Sequence, residues 1–276
     1  MATPYLNGYS VKPASVDSLG IVSFTDGTNA FTPNQKQCEA YGYTYDRASG
    51  TCRAFTYSAS LGKSLNNQSN YVRGANNTTE TGTNNTHIMG ESNTVKGLSR
   101  NNIIVGSNNE IANGVNNAAV FGNYGLARRP GEVVFGGGGF SGTGKGYAQS
   151  SVITLTGTTV GATTTSLFVN GDSANTIIAR DKIKLFTGFE AKVIAIRTGG
   201  TNPTGAIDDR RFNRVTGIVL ANTVSQTTTL LNNFGTLGTL TNNIAFSGDD
   251  MIFQVTGNAN RNISWSCTLN LYEVII

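Results

Sequence analysis

Short apolar stretches that end in glycine recur at a constant spacing of sixteen residues in the middle of the chain. They are Tyr71-Val72-Arg73-Gly74, His87-Ile88-Met89-Gly90, Ile103-Ile104-Val105-Gly106 and Ala119-Val120-Phe121-Gly122. Weaker half-steps lie between them, at Thr81-Gly82, Val95-Lys96-Gly97 and Ile111-Ala112-Asn113-Gly114. A fixed period of this length predicts a stacked β-solenoid, two short strands to a coil. Asparagine pairs at 76–77, 84–85, 101–102, 108–109 and 116–117 fall where the turns must be. Asparagine tolerates the left-handed conformation of tight turns, and stacked copies can form hydrogen-bonded ladders. One position is β-branched in every full coil, so Val72, Ile88, Ile104 and Val120 are the candidate shaft core. Their neighbours point the other way. These are Tyr71, His87, Ile103 and Ala119 on one side, and Arg73, Met89, Val105 and Phe121 on the other.

Such a core is thin. Burying a valine or isoleucine yields about 1.5–3 kcal/mol, whereas ordering each backbone residue costs about 1–2 kcal/mol. A lone coil comes out near zero. The second apolar face removes the deficit if it packs against copies of the same chain, which predicts a homo-oligomer, read here as a homotrimer.

From about residue 148 the period changes to two. Ile263, Trp265, Cys267, Leu269 and Leu271 share one face of a strand, with Ser264, Ser266, Thr268 and Asn270 on the other. Residues 182–197 and 250–256 alternate in the same way, and Asn170-Gly171 marks a turn. The fold class expected is all-β. A trimeric β-roll or solenoid shaft (62–125) follows an N-terminal region (1–61). A glycine-rich connector (126–147) then leads to an antiparallel, jelly-roll-like β-sandwich tip (148–276).

The bulk composition changes little in this picture. Of 276 residues 38% are hydrophobic and only 13% charged, with a net charge of +4. The basic residues are scattered, with Arg128-Arg129 and Arg210-Arg211 as adjacent pairs, so nucleic acid is not expected as a partner. The first twenty residues carry no basic stretch followed by an apolar run, and no apolar stretch is long enough to span a bilayer. Neither export nor membrane insertion is expected.

Candidate chemistry is sparse. Residues 37–55 read as a hairpin turning at Asp46 to Gly50. Its register sets Cys52 near Thr44 and leaves Cys38 far down the other strand, which argues against a disulfide. Two cysteines and the distant His87 do not make a zinc site, and no metal or other cofactor is expected. Alternation puts Tyr41, Tyr43 and Tyr45 on one face, for packing rather than sugar binding. Gly139 to Lys145 fits the spacing of a phosphate-binding loop, but Gly146 stands where a Ser or Thr should and a β pattern follows. The acidic doublets Asp208-Asp209 and Asp249-Asp250 sit beside turn-like sequence, and neighbours along a strand point apart, so no paired carboxylates and no enzyme are expected. Cys267 reads as core. The loop with Asp208, Arg210, Arg211, Phe212 and Arg214 combines charge with an aromatic and is the candidate receptor contact.

The run Asn101 to Gly106 resembles the head repeats of trimeric adhesins, the parallel β-rolls of the YadA type, and shaft segments of bacteriophage tail fibres that use this roll. Residues 178–197, 214–219, 253–257 and 261–273 are similar to the C-terminal β domain of many phage tail fibres. In that family a V-T-G turn leads into a strand carrying I-x-W, matched here by Val255-Thr256-Gly257 and Ile263-Ser264-Trp265, with Phe186 or Phe189 at the family's earlier aromatic position. The resemblance implies a virion fibre made in the host cytoplasm and acting outside. It would attach to a baseplate or tail/neck protein through its N-terminal region, and its tip would recognise a host-surface glycan or protein without cleaving it. The alternatives are a purely structural connector or head decoration, and a glycan depolymerase.

Overall fold

A computed structural model describes residues 11–17, 19–54, 70–138, 144–180 and 185–275. The chain divides into two compact units, Met1–Leu65 and Asn66–Ile276.

In the first unit β1 (Lys12–Val16), β2 (Val22–Thr25) and β3 (Ala30–Phe31) form an antiparallel sheet in sequence order. A short helix α1 (Gln35–Ala40) follows, then a hairpin of β4 (Thr44–Asp46) and β5 (Thr51–Arg53). The helix starts at a capping box. The Asn34 side chain accepts from the Gln37 amide at 3.0 Å, and the Gln37 side chain accepts from the Asn34 amide at 2.9 Å. The helix overturns the expectation for the cysteines. Residues 37–40 do not extend the hairpin strand but fold back over it, so Cys38 meets Cys52, which itself pairs with Tyr45. The two form a disulfide with Cα atoms 5.6 Å apart, inside a core shared with Val22 and Phe24. Tyr41 and Tyr43 pack edge-on against Phe24, at 5.4 and 6.3 Å between ring centroids. These tyrosines therefore belong to the core of their own unit. Cross-linking across 14 residues removes about 3 kcal/mol of unfolded-chain entropy. In Cys38→Ser/Cys52→Ser the amides of β2 and β5 are expected to exchange hydrogen on the order of a hundredfold faster. Unchanged exchange would show that the crosslink is dispensable.

The second unit begins with the solenoid. One stack is β6 (Tyr71–Arg73), β8 (His87–Glu91), β10 (Ile103–Ser107), β12 (Ala119–Asn123) and β14 (Val133–Gly137). The other is β7 (Thr78–Thr79), β9 (Thr94–Val95), β11 (Glu110–Ile111) and β13 (Leu126–Ala127). Both are parallel and in register, so Ile88, Ile104, Val120 and Val134 stack directly on one another and are fully buried. Val95, Ile111 and Ala127 face them from the second stack. Val72 departs from this pattern and is 44% exposed. It lies on the end strand of the sheet, and its coil carries Thr79 where the next coils carry Val95 and Ile111. The solenoid also continues past Val120. The span 126–147, expected as a connector, contributes β13 and β14, and the last coil is shorter, with Gly136 standing on Gly122.

Much of the interior is hydrogen-bonded amide. Asn77, Asn93 and Asn109, the last two fully buried, form a ladder in which each side-chain carbonyl accepts from the backbone amide one coil on, at 2.8–3.0 Å. Their amide nitrogens donate to the carbonyls of Gly90, Gly106 and Gly122 at 2.7–2.9 Å. A second, exposed ladder joins Asn85, Asn101 and Asn117. All three of these residues have φ between 50 and 58°, the left-handed region that asparagine accepts. The thin apolar stripe is thus supplemented by a satisfied polar one.

The sheet does not stop at β14. The long strand β15 (Ala148–Val160) pairs with it antiparallel, and β16 (Thr164–Ser166) and β17 (Phe168–Val169) follow. Then come β18 (Leu185–Gly199), β19 (Arg210–Leu220), β20 (Thr223–Phe234), β21 (Thr241–Ser247), β22 (Asp250–Thr256) and β23 (Asn262–Ile275). The large sheet runs β20-β19-β18-β23-β15 and on through the solenoid to β6. A small sheet, β16-β22-β21, lies over its inner face, and the two share one apolar core. Ile263, Trp265, Cys267, Leu269 and Leu271 all point into that core, as does Phe189, whereas Phe186 is on the outer face. Burial pushes the Cys267 thiol pKa up, which keeps it unreactive.

Where solenoid and tip meet, the inner face is ionic. Arg129 is fully buried and donates to Glu132, to Glu273 and, at 2.7 Å, to the Ala179 carbonyl. Gln149 donates to Glu273 at 2.7 Å and accepts from the Leu126 amide at 2.8 Å. Burial works against both charges, but the carboxylates beside Arg129 raise its pKa, and Arg129 holds Glu273 below the usual carboxylate range.

Candidate functional site

Opposed residues in a sheet share a face, so the strand registers define the outer surface of the large sheet. On the solenoid half it carries Arg73, Met89, Val105, Phe121 and Phe135, in one row along parallel strands. Phe121 and Phe135 stack at 5.8 Å. Met89 and Phe135 are 41% and 51% exposed, more than isolated surface side chains of this kind would explain given that they stand in line. His87 lies in the neighbouring row, its ring 5.7 Å from that of Tyr71.

On the tip half the same face changes character. Phe212 of β19 stands opposite Ile194 of β18 and Asn232 of β20. Register slips by one residue between Phe212 and Asn213, so that Leu231 is left over as a bulge in β20. A bulge bends the strand and re-aims side chains. Here it accompanies a groove of about 260 Å³ lined by Ile194, Arg210, Arg211, Phe212, Asn232, Asn233 and Phe234. Sequence-predicted contacts Arg210, Arg211 and Phe212 are therefore brought together. Arg214 lies one step along the same face, opposite Lys192. Asp208 does not join them, since its backbone amide is tied to the Arg197 carbonyl at 2.9 Å in the loop before β19.

Asp209 has a role that its sequence context did not reveal. It is buried, and its carboxylate accepts from the Thr236 amide at 3.1 Å and the Ala206 amide at 3.0 Å, which hold its pKa below the ordinary value. It thereby fixes the turn that directly follows Phe234. Gly235 must be glycine, with φ of 85° and a Cβ position overlapping that carboxylate. Two buried arginines complete the support: Arg197 donates to the carbonyls of Asn202 and Thr204, and Arg261 to those of Leu237 and Thr204. The Thr236 and Ala206 amides donate to the same carboxylate oxygen, and Asp209→Ala removes it. The substitution is expected to loosen residues 204–209 and 235–238, seen as faster amide exchange there with β15 and β23 unchanged. Equal exchange throughout would remove Asp209 from this role.

The other candidates lie apart from this groove. Asp249 and Asp250 accept from Arg180 through a main-chain and a side-chain oxygen, at 3.3 and 3.0 Å. Of the loop with phosphate-binding spacing, residues 139–143 fall outside the described residues, while Lys145 donates to Glu110 at 3.1 Å and strand β15 follows. Among the described residues there is no cluster of three or more His, Cys, Asp or Glu side chains fit for a metal, and no helix is long and apolar enough to cross a membrane.

No protein-family model matches the chain, and no curated protein matches it in sequence. Solved structures similar to it include three phage tailspikes. The tailspike protein gp49 of the Acinetobacter baumannii bacteriophage Fri1, a capsular polysaccharide depolymerase, is 9% identical over 76% of this chain and 37% of its own, with a TM-score of 0.29. The tailspike of Acinetobacter phage vB_ApiP_P1 is 10% identical over 75% of this chain and 46% of its own, with a TM-score of 0.20. That of Acinetobacter baumannii phage AM24 is 9% identical over 74% and 55%, with a TM-score of 0.23. The chain thus spans between 37% and 55% of the length of the tailspikes it matches. The first of them is a capsular polysaccharide depolymerase, and the expectation, drawn from the placement of the acidic doublets, that this chain is not an enzyme is withdrawn.

Proposed function

We propose that the chain is a subunit of a virion fibre or spike that binds a glycan of the host surface, and that it works as a homotrimer. One observation carries this: a single sheet whose outer face has two unlike halves. The aligned Met89, Val105, Phe121 and Phe135 suit burial against copies of the same chain. The groove around Phe212 combines aromatic and guanidinium side chains in the manner of a saccharide site, since sugar rings offer apolar faces and polar rims. Three tips held on one shaft would raise a weak single-site affinity by avidity. Within this proposal the solenoid is a roll of the YadA type, the tip is a phage-fibre β domain, and the N-terminal region joins a baseplate or tail/neck protein.

Light scattering should give three times the 29.0 kDa of one chain. Phe135→Glu should shift it to one chain with the fold retained, and a monomeric wild-type protein would sink the assembly. Purified protein incubated with bacterial envelopes tests the rest. Retention together with release of reducing ends makes the chain a depolymerase, which the likeness to the Fri1 tailspike suggests. Retention without release makes it an adhesin. Absence of retention on any envelope leaves the structural connector.

A further inference from the structure

The charges on the tip half of the outer face do not fit self-association. Lys192 and Arg214 are directly opposed across β18 and β19, and like charges in that position repel. The Lys192 ammonium is 3.8 Å from Glu190, a contact that offsets one charge of the pair. Arg214 and Arg210 are exposed and form no ion pair among the described residues. They flank Phe212 on the same face of β19, one residue away on either side in the period-two sense. Bringing three copies together through this surface would crowd these cations around the axis. On the solenoid half the cation of the row, Arg73, stands at its end over the Tyr71 ring, and Met89, Val105, Phe121 and Phe135 beyond it carry no charge.

What such a surface lacks is an anion. The groove lining includes the apolar side chains of Phe212, Phe234 and Ile194, and Phe234 is 73% exposed. An inorganic anion gains nothing from these, and an apolar peptide gains nothing from the arginines. A ring with one apolar face and an acidic substituent uses both. We propose that the groove between β18, β19 and β20 binds an acidic polysaccharide: sugar rings lie on Phe212 and Phe234, and their carboxylates are met by Arg210 and Arg214. This rests on the glycan-binding function proposed above and gives it a substrate class. Arg211 is a positioning residue, since its guanidinium is held by Asn213 at 3.2 Å and by the Gly238 carbonyl.

The test is retention of the full chain on immobilised polygalacturonate, hyaluronate and polysialate, with dextran as the neutral control. Retention on at least one acidic polymer, lost with rising salt and absent on dextran, is expected. Arg210→Gln/Arg214→Gln should weaken it about tenfold or more, because each charge-assisted hydrogen bond is worth at least that. Neither side chain is buried, so circular dichroism should be unchanged. Phe212→Ala should weaken retention while leaving its salt dependence intact, which a purely ionic patch would not show. Equal retention on dextran, or a double variant that binds like the wild type, overturns the proposal. If the protein still adheres to envelopes in that case, glycan recognition stands and only its acidic class falls. Adhesion to no envelope and no polymer removes both.

Discussion

Arg129→Leu should cost about 3–5 kcal/mol of stability, the range for removing one partner from a buried ion pair. The size follows from what is left behind. Glu132 and Glu273 are both fully buried and both paired with this guanidinium, while Arg128 comes no nearer to Glu273 than 3.9 Å. Without it two carboxylates stand in the interior, and the Ala179 carbonyl loses its 2.7 Å donor. Arg129→Lys should recover little, because a single ammonium cannot reach both carboxylates and the carbonyl in the geometry of a planar fork. Urea unfolding of the second unit measures the loss, and a cost below about 1 kcal/mol would mean that water or rearrangement replaces the cluster. Acid should act through the same group. The folded-state pKa of Glu273 is depressed, so its contribution is full above the unfolded value of about 4.3 and is lost as pH falls through the folded value. Glu273→Gln should flatten that acid limb of the stability curve while lowering the plateau.

Gly106→Ala is expected to cost about 3 kcal/mol or more, a figure set by backbone strain combined with a clash that no rotamer can relieve. Its φ is 130°, and a Cβ would overlap the backbone carbonyl of Gly122 in the next coil. That carbonyl cannot turn away, because it accepts from the Asn109 side chain at 2.9 Å. The same relation links Gly90 to Gly106 and Asn93, so each glycine makes room for a carbonyl that the ladder has turned inward. Gly114→Ala is the internal control. Its φ is 71° with open space around it, so only the left-handed penalty of about 1–2 kcal/mol applies. Similar costs at Gly106 and Gly114 would show that stacking is not tight at the glycine row.

These two sites differ in how far the sequence announces them. The glycine row is visible because each coil repeats both the glycine and the β-branched residue two positions before it. It fades at Val134-Phe135-Gly136 only because the last coil is shorter, although Val-Phe-Gly repeats Val120-Phe121-Gly122 letter for letter. The disulfide escapes any reading that runs residues 37–45 as one strand. The signal against that lies in Asn34 and Gln37, a capping pair at the spacing that starts a helix. Arg129 gives no signal of its own, since an arginine beside an arginine reads as surface. Its partner does: alternation from Ile263 to Leu271 carries on to Glu273, which puts an acid on a buried face and demands a cation there. The groove is half legible. Arg210 to Phe212 stand out as charge next to an aromatic, but Ile194 and Phe234 come from β18 and β20, and only the register joins them.

The solenoid is also a ruler. Its coils are in register residue for residue, so removing residues 87–102 would join Thr86 to Ile103 and keep the buried stripe and the asparagine ladders in line, with loss of the Glu80–Lys96 ion pair. Shaft length can therefore change in whole steps of about 4.8 Å, the spacing between hydrogen-bonded strands, without redesign at either end. Deleting part of a coil would break that register. The increment for such an adjustment is one coil, sixteen residues in the full repeats.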